Sequence, residues 1–141
     1  MTALTSVRKN ANIPLEVQRM PRTSVIFYQE KDGTVPVLDW LESLGDKARA
    51  KSLVRIERLK ELGHQLRRPE ADYLRDGIYE LRISLDGIHH RILYFFGGHA
   101  VAVLSHGLVK ERAVPPKEIE LAMRRKSQFE ANPEGHTYRE D

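Results

Sequence analysis

The 141-residue chain contains no cysteine, so it can form neither a disulfide framework nor a thiolate metal site. Long apolar runs are also missing, because no stretch approaches the ~20 residues that a membrane-spanning helix needs. Residues 1–22 lack the apolar block of a secretory signal, and we expect them to be retained. These absences favour a cytoplasmic protein with no membrane partner.

Several motifs of known catalytic sites are absent as well. The sequence has no glycine-rich nucleotide loop, no His-Glu-x-x-His metal motif and no Gly-x-Ser-x-Gly nucleophile elbow. Its six histidines do not show the spacing of a metal site. Its carboxylates form no isolated pair suited to glycoside hydrolysis. We therefore expect neither a metal nor another cofactor.

Positive charge is concentrated in two segments, although the formal net charge is only +3. Residues 46–68 contain eight Lys and Arg against three acids, and residues 106–126 contain six against three. Such segments suit a polyanionic partner such as nucleic acid. A solvated helix face would give the same count, so charge alone leaves both interpretations open.

Hydrophobic periodicity predicts an α+β fold with helices packed on one face of a sheet. The predicted elements, in chain order, are an N-terminal strand (24–30), a helical hairpin (34–62), a polar connector (67–76), three strands of an antiparallel meander (77–85, 88–96 and 99–109) and a C-terminal helix (117–128).

The same patterns divide the chain into three regions. Residues 1–22 are polar and show no period, which predicts a flexible N-terminal arm. Residues 23–128 hold all the predicted elements and form the folded domain. Residues 129–141 are again polar, and we expect a disordered tail.

Two arginines of the meander form the first candidate site. In a hairpin that turns at residues 86–87, Arg82 and Arg91 can lie side by side on adjacent strands. Two guanidinium groups repel each other unless an anion lies between them, and their planar forks suit a phosphate. Pairing with Glu80 or Asp86 would explain the arginines without any ligand, and the spacing does not decide between the two.

The end of the third strand offers a second group, in which His106 is followed by Lys110. Cleavage of RNA without a metal needs a base for the 2′-OH proton, cations for the phosphate and an acid for the leaving oxygen. A histidine titrates near neutral pH and a lysine supplies charge. A strand end that is merely exposed to solvent is the alternative interpretation.

The runs GIYELRISLDGIHHRILYFF and VLSHGLVKERAVPPKEIELAMRR resemble the RelE/ParE superfamily of toxins, and in particular its HigB-like, phage-derived branch. Three elements carry the resemblance. They are a Gly-x-Tyr-Glu-Leu-Arg strand that ends at Arg82, an Arg-Ile-x-Tyr strand that begins at Arg91, and a His-Gly-Leu-x-Lys element that ends at Lys110 and leads to a helix start at Pro116. The resemblance covers residues 24–126.

This resemblance implies a RelE-like fold and the toxin of a type II toxin–antitoxin system. Many members of the superfamily are metal-independent endoribonucleases that cut mRNA in the ribosomal A site through 2′-OH attack. HigB-like toxins are typically neutralised by an antitoxin with a helix-turn-helix domain. The expected partners are therefore mRNA on the ribosome and a cognate antitoxin. A ParE-like gyrase inhibitor and a non-catalytic phage-derived binding module remain the alternatives.

Residue roles follow from the matched positions. The resemblance implies that Arg82, Arg91 and Lys110 hold and stabilise the scissile phosphate, and that His106 is the proton shuttle. Further contacts with RNA or phosphate are expected from Lys117, Arg112, His90 and Arg124.

Overall fold

The computed structural model describes residues 22–98 and 100–139, so nearly all of the predicted arm, residues 1–22, lies outside the described residues. The elements, in chain order, are β1 (Ser24–Phe27), α1 (Pro36–Ser43), α2 (Asp46–Leu62), β2 (Ala71–Arg75), β3 (Ile78–Leu85), β4 (Ile88–Phe96), β5 (Val101–Val109) and α3 (Pro116–Ala131), with 3₁₀ turns at Gly63–Gln65 and Glu134–His136.

Local sequence explains where the helical hairpin begins and ends. Pro36 occupies the first turn of α1, where its missing N–H would have had no partner in any case. Gly63 ends α2 with a positive φ of 50°. Glycine is required there because an added Cβ would also overlap the side chain of Thr23.

The sheet has five strands in the order β1-β5-β4-β3-β2. The α+β class is confirmed, and β3, β4 and β5 pair antiparallel as the sequence predicted. The sheet is larger than the predicted three-stranded meander, because β1 pairs parallel with β5 and β2 pairs antiparallel with β3. The strand β2 falls inside residues 67–76, which the sequence pattern predicts to be a polar connector.

Helices cover both faces of the sheet, whereas the sequence predicted one. The α1–α2 face is packed by one apolar cluster: Val37, Leu41, Ile56, Leu59, Leu66, Ala71, Leu81, Ile83, Ile92, Tyr94, Ala102 and Leu104. The α3 face is packed by a second: Tyr28, Ile78, Leu93, Phe95, Val103, Val114, Ile119, Ala122 and Phe129. Alternation along β3 and β4 supplies both clusters, since neighbouring side chains point to opposite faces.

The chain beyond residue 128 is ordered as far as the structure describes it, and this corrects the predicted tail. The helix α3 continues to Ala131, and Thr137 forms a β-bridge with Tyr28. The ring of His136 stacks on the ring of Tyr28 at 5.1 Å and shares a 2.9 Å hydrogen bond with the carbonyl oxygen of Gln29. Because most residues of this segment are polar, its composition did not predict that the rings of Phe129 and His136 are buried.

No helix within residues 22–98 and 100–139 combines the length and the apolar character required to cross a membrane.

Candidate functional site

The β3–β4 hairpin brings the two predicted arginines together. Arg82 and Arg91 are direct cross-strand partners, and Glu80 lies on the same face of the sheet. One carboxylate oxygen of Glu80 accepts a hydrogen bond from Arg91 Nη1 at 2.6 Å, and the other accepts one from Arg82 Nε at 2.8 Å. Glu80 is only 1% exposed. A single buried carboxylate therefore holds both guanidinium groups in place.

The anion between the two arginines is therefore Glu80, a side chain of the protein itself. This agrees with the interpretation in which Glu80 or Asp86 pairs with the arginines without any ligand. Asp72 also approaches Arg82 at 3.4 Å and pairs with Arg68 at 2.7 Å. The hydrogen bond from Arg68 is the main reason why the pKa of Asp72 lies below its usual value. Three guanidinium groups share two carboxylates, so the cluster keeps positive charge. Each guanidinium has five N–H donors, and some remain for a ligand.

A cavity of about 510 Å³ opens beside the arginines, between α2, the β3–β4 hairpin and the segment after β5. We name it the basic cleft. It is lined by Lys51, Arg55, Pro69, Arg82, Ser84, His89, His90, Arg91 and Glu111. Four of these side chains are lysine or arginine and one is acidic, so the basic cleft suits an anionic ligand.

Two of the cations, Lys51 and Arg55, come from α2 and are not among the predicted site residues. The ammonium group of Lys51 donates to the carbonyl oxygen of Ser84 at 2.7 Å and forms no ion pair with a described residue. Arg55 pairs with Glu70 at 2.7 Å, and Glu70 accepts two more hydrogen bonds from Arg58. The basic bias of residues 46–68 was the available signal, but it did not show which positions face the sheet.

His90 lines the basic cleft and is 7% exposed. Its Nδ1 is buried and has no hydrogen-bond partner among the described residues. Burial, and to a lesser extent the neighbouring His89, lowers the pKa of His90. Burial therefore favours the neutral ring, and the buried Nδ1 is not accessible to a ligand. His89 is exposed beside it, with Nδ1 3.0 Å from the hydroxyl of Ser84.

His106 occupies a different place, between β5 and α3. Its Nδ1 lies 2.8 Å from the hydroxyl of Ser105, and its Nε2 lies 2.9 Å from a carboxylate oxygen of Glu118. Burial lowers the pKa of His106 even though the hydrogen bond to Glu118 acts in the opposite direction. Because protein groups occupy both ring nitrogens, the ring belongs to the packing of α3. It is not among the side chains that line the basic cleft.

The remaining predicted cations lie around the cleft or away from it. Lys110 and Arg112 line a cavity of about 370 Å³ that shares Glu111 with the basic cleft. Arg112 also lines, together with Arg82 and Arg91, a cavity of about 400 Å³ on the α3 face. Two others, Lys117 and Arg124, are exposed on α3 and line none of these three cavities.

The cleft can therefore bind an anion and exchange protons, since it combines fixed cations with two imidazoles. Across the described ranges, no group of three or more His, Asp or Glu residues is arranged to hold a metal ion.

Residues 39–127 match the family model described as Phage derived protein Gp49-like (DUF891). No curated protein matches the chain. The matched segment runs from α1 into α3 and contains every residue that lines the basic cleft. The chain therefore belongs to the Gp49-like family of phage-derived proteins.

Proposed function

We propose that the chain is the toxin of a type II toxin–antitoxin system and that it cleaves mRNA on the ribosome. Its family is related to toxin–antitoxin proteins. The observation that carries the proposal is the basic cleft, in which four fixed cations and two imidazoles line one cavity. That combination suits attack of a ribose 2′-OH on the adjacent phosphate without a metal.

In this proposal the cations hold the phosphate, which gains negative charge as the 2′-oxygen attacks. Arg82 and Arg91 present guanidinium groups that Glu80 has already placed side by side. This arrangement reduces the entropy lost on binding, because the forks do not have to be ordered by the ligand. Lys51 adds a charge that no described carboxylate offsets.

We assign proton transfer to His89 of the cleft rather than to His106. His89 is exposed, and in this proposal it accepts the 2′-OH proton and then, as the imidazolium, returns that proton to the departing 5′-oxygen. Burial favours the neutral ring of His90, so we assign it no proton transfer. His106 lacks that access, since its two nitrogens already have protein partners. Lys110 and Arg112 extend the positive surface at the end of β5.

The test uses purified chain, translating ribosomes and a defined mRNA, with 5′ ends mapped after incubation. Cuts should fall at a fixed position within codons, and a 2′-deoxynucleotide at the cut position should abolish them. The Arg91→Ala and Lys51→Ala variants should cut at least ~100-fold more slowly, as expected for the loss of ~2.7 kcal/mol of transition-state stabilisation. Lys47→Ala is the matched control, because Lys47 is an exposed residue of α2 outside the basic cleft.

Absence of positioned cuts, or full activity in both cleft variants, would contradict the nuclease proposal. Inhibition of DNA gyrase in a supercoiling assay would then support the ParE-like alternative. The proposal also includes an antitoxin with a helix-turn-helix domain. Co-expression of the neighbouring reading frame should restore growth and yield a stable complex with the chain.

A further inference from the structure

A second cavity lies beside the basic cleft, at the outer edge of the sheet. Its volume is about 580 Å³, and we name it the tyrosine pocket. It is lined by Leu66, Arg67, Asp72, Tyr73, Gly77 and Tyr79. It shares no lining residue with the basic cleft.

Tyr73 gives this pocket a fixed aromatic surface. The residue lies on the edge strand β2 and is 53% exposed. Its hydroxyl accepts a hydrogen bond from the backbone N–H of Gly77 at 3.0 Å, and its ring meets the edge of the Tyr79 ring at 5.0 Å. Tyr79 in turn stacks on the buried ring of Tyr94 at 5.3 Å. Because these two contacts already hold the Tyr73 side chain in place, it loses little conformational entropy when a flat ligand stacks on it.

Arg67 gives the same pocket a positive charge. Its Nη1 donates to the carbonyl oxygens of His64 and Leu66, the latter at 3.0 Å, and it forms no ion pair with a carboxylate in residues 22–98 or 100–139. Asp72 also faces the pocket, but its carboxylate is already shared by Arg68 and Arg82. The pocket therefore combines an aromatic face with a cation that forms no ion pair with a described carboxylate.

The two cavities are lined in part by residues of the same short connector, residues 66–69. Pro69 lines the basic cleft, and Arg67, two residues earlier, lines the tyrosine pocket. Two residues span at most ~7 Å. A single strand that lies across this connector can thus reach both cavities at once.

We infer that the tyrosine pocket binds one unpaired nucleotide of single-stranded RNA, with its base stacked on Tyr73 and its phosphate facing Arg67. Stacking on an aromatic side chain accepts any base, and arginine adds charge for the backbone. An aromatic side chain of a protein partner would fit the ring, but it would leave the charge of Arg67 unused. The inference rests on the proposed function and specifies its substrate as RNA that is unpaired next to the cut.

The experiment measures binding of the full chain to a 2′-O-methyl RNA hexamer, which cannot react through its 2′-oxygens. Six further hexamers each carry one abasic position. We expect one abasic position to weaken binding about tenfold, the equivalent of one stacked base. The Tyr73→Leu variant should bind the intact hexamer about tenfold more weakly and lose its sensitivity to that abasic position. Tyr73→Phe keeps the ring and should retain that sensitivity.

Leu53→Ala is the control, since Leu53 is 48% exposed on α2 and lies outside both cavities. Unchanged affinity in Tyr73→Leu would overturn the inference, and so would an abasic penalty that persists in this variant. Failure to bind the hexamer at all would also overturn it. Failure of the proposed function would give a different result. Positioned cleavage on ribosomes would then be absent, while Tyr73→Leu would still lose its sensitivity to one abasic position.

Discussion

The buried carboxylate of Glu80 allows the sharpest prediction, which concerns the Glu80→Gln variant. Glutamine has nearly the same shape but no charge, and one of its two terminal atoms becomes an N–H₂ donor. Because both carboxylate oxygens of Glu80 accept hydrogen bonds from arginines, that N–H₂ group must face a guanidinium donor. The substitution therefore removes the countercharge and replaces one hydrogen bond by a contact between two donors.

The size of the effect follows from burial. Removing one partner of a buried ion pair typically costs 3–5 kcal/mol. The side chain of Arg91 is 11% exposed, but that of Arg82 is 34% exposed and water offsets part of its loss. We therefore expect the free energy of unfolding to fall by about 3 kcal/mol. With an m-value of about 2 kcal/mol/M in urea, the midpoint should move down by about 1.5 M.

Urea unfolding followed by far-UV circular dichroism measures this change. The matched control is Glu130→Gln, which breaks an exposed pair with Lys126 on α3 and should cost less than ~0.5 kcal/mol. In the ribosome assay, Glu80→Gln should also slow cleavage, because the two guanidinium groups lose their common anchor. A loss of stability below about 1 kcal/mol would refute the idea that Glu80 holds the arginine pair.

Two further predictions concern packing and pH. Gly107→Ala should cost about 2 kcal/mol in urea unfolding because the added Cβ overlaps the Trp40 ring, whereas Gly45→Ser meets nothing within 4 Å and should change stability by less than ~0.5 kcal/mol. Burial lowers the pKa of His106 in the folded state, so the unfolded chain takes up its proton first as pH falls below about 6.5. The free energy of unfolding should then fall by up to ~1.4 kcal/mol per pH unit. Unfolding measured at pH 7, 6 and 5 should show a smaller slope in His106→Gln than in the parent. A Gly107→Ala protein as stable as the parent, or a His106→Gln slope equal to that of the parent, would contradict these two assignments.

Local patterns were sufficient to predict the β3–β4 hairpin. Alternation and the Asp86-Gly87 turn fix its register, and the pairing of Arg82 with Arg91 follows from that register. The strand β2 gave no such signal because it is short, polar and paired on one side only. Edge strands often carry charged residues, so β2 looked like a connector.

The cleft itself required tertiary information. Lys51 contacts the backbone of Ser84, 33 residues away, and only the packing of α2 on the sheet brings the two together. His106 was assigned to the site from its place at the end of a strand. A register shift in the β4–β5 pairing changes its surroundings, since Leu104 pairs with Tyr94 while His106 pairs with Leu93. The extra residue at this bulge directs His106 toward α3, and alternation cannot predict that reversal.

The position of Glu80 also bears on how the proposed phosphate site can fold in the absence of a ligand. Two guanidinium groups on neighbouring strands would repel each other in the free protein, and the buried carboxylate removes that repulsion. The same carboxylate weakens the attraction of the basic cleft for an anionic ligand, since it neutralises part of the charge of Arg82 and Arg91. Lys51 compensates because it comes from another element and has no described carboxylate partner. Geometry and attraction are thus provided by different residues, with Glu80 fixing the arginines and α2 supplying charge that a phosphate can use.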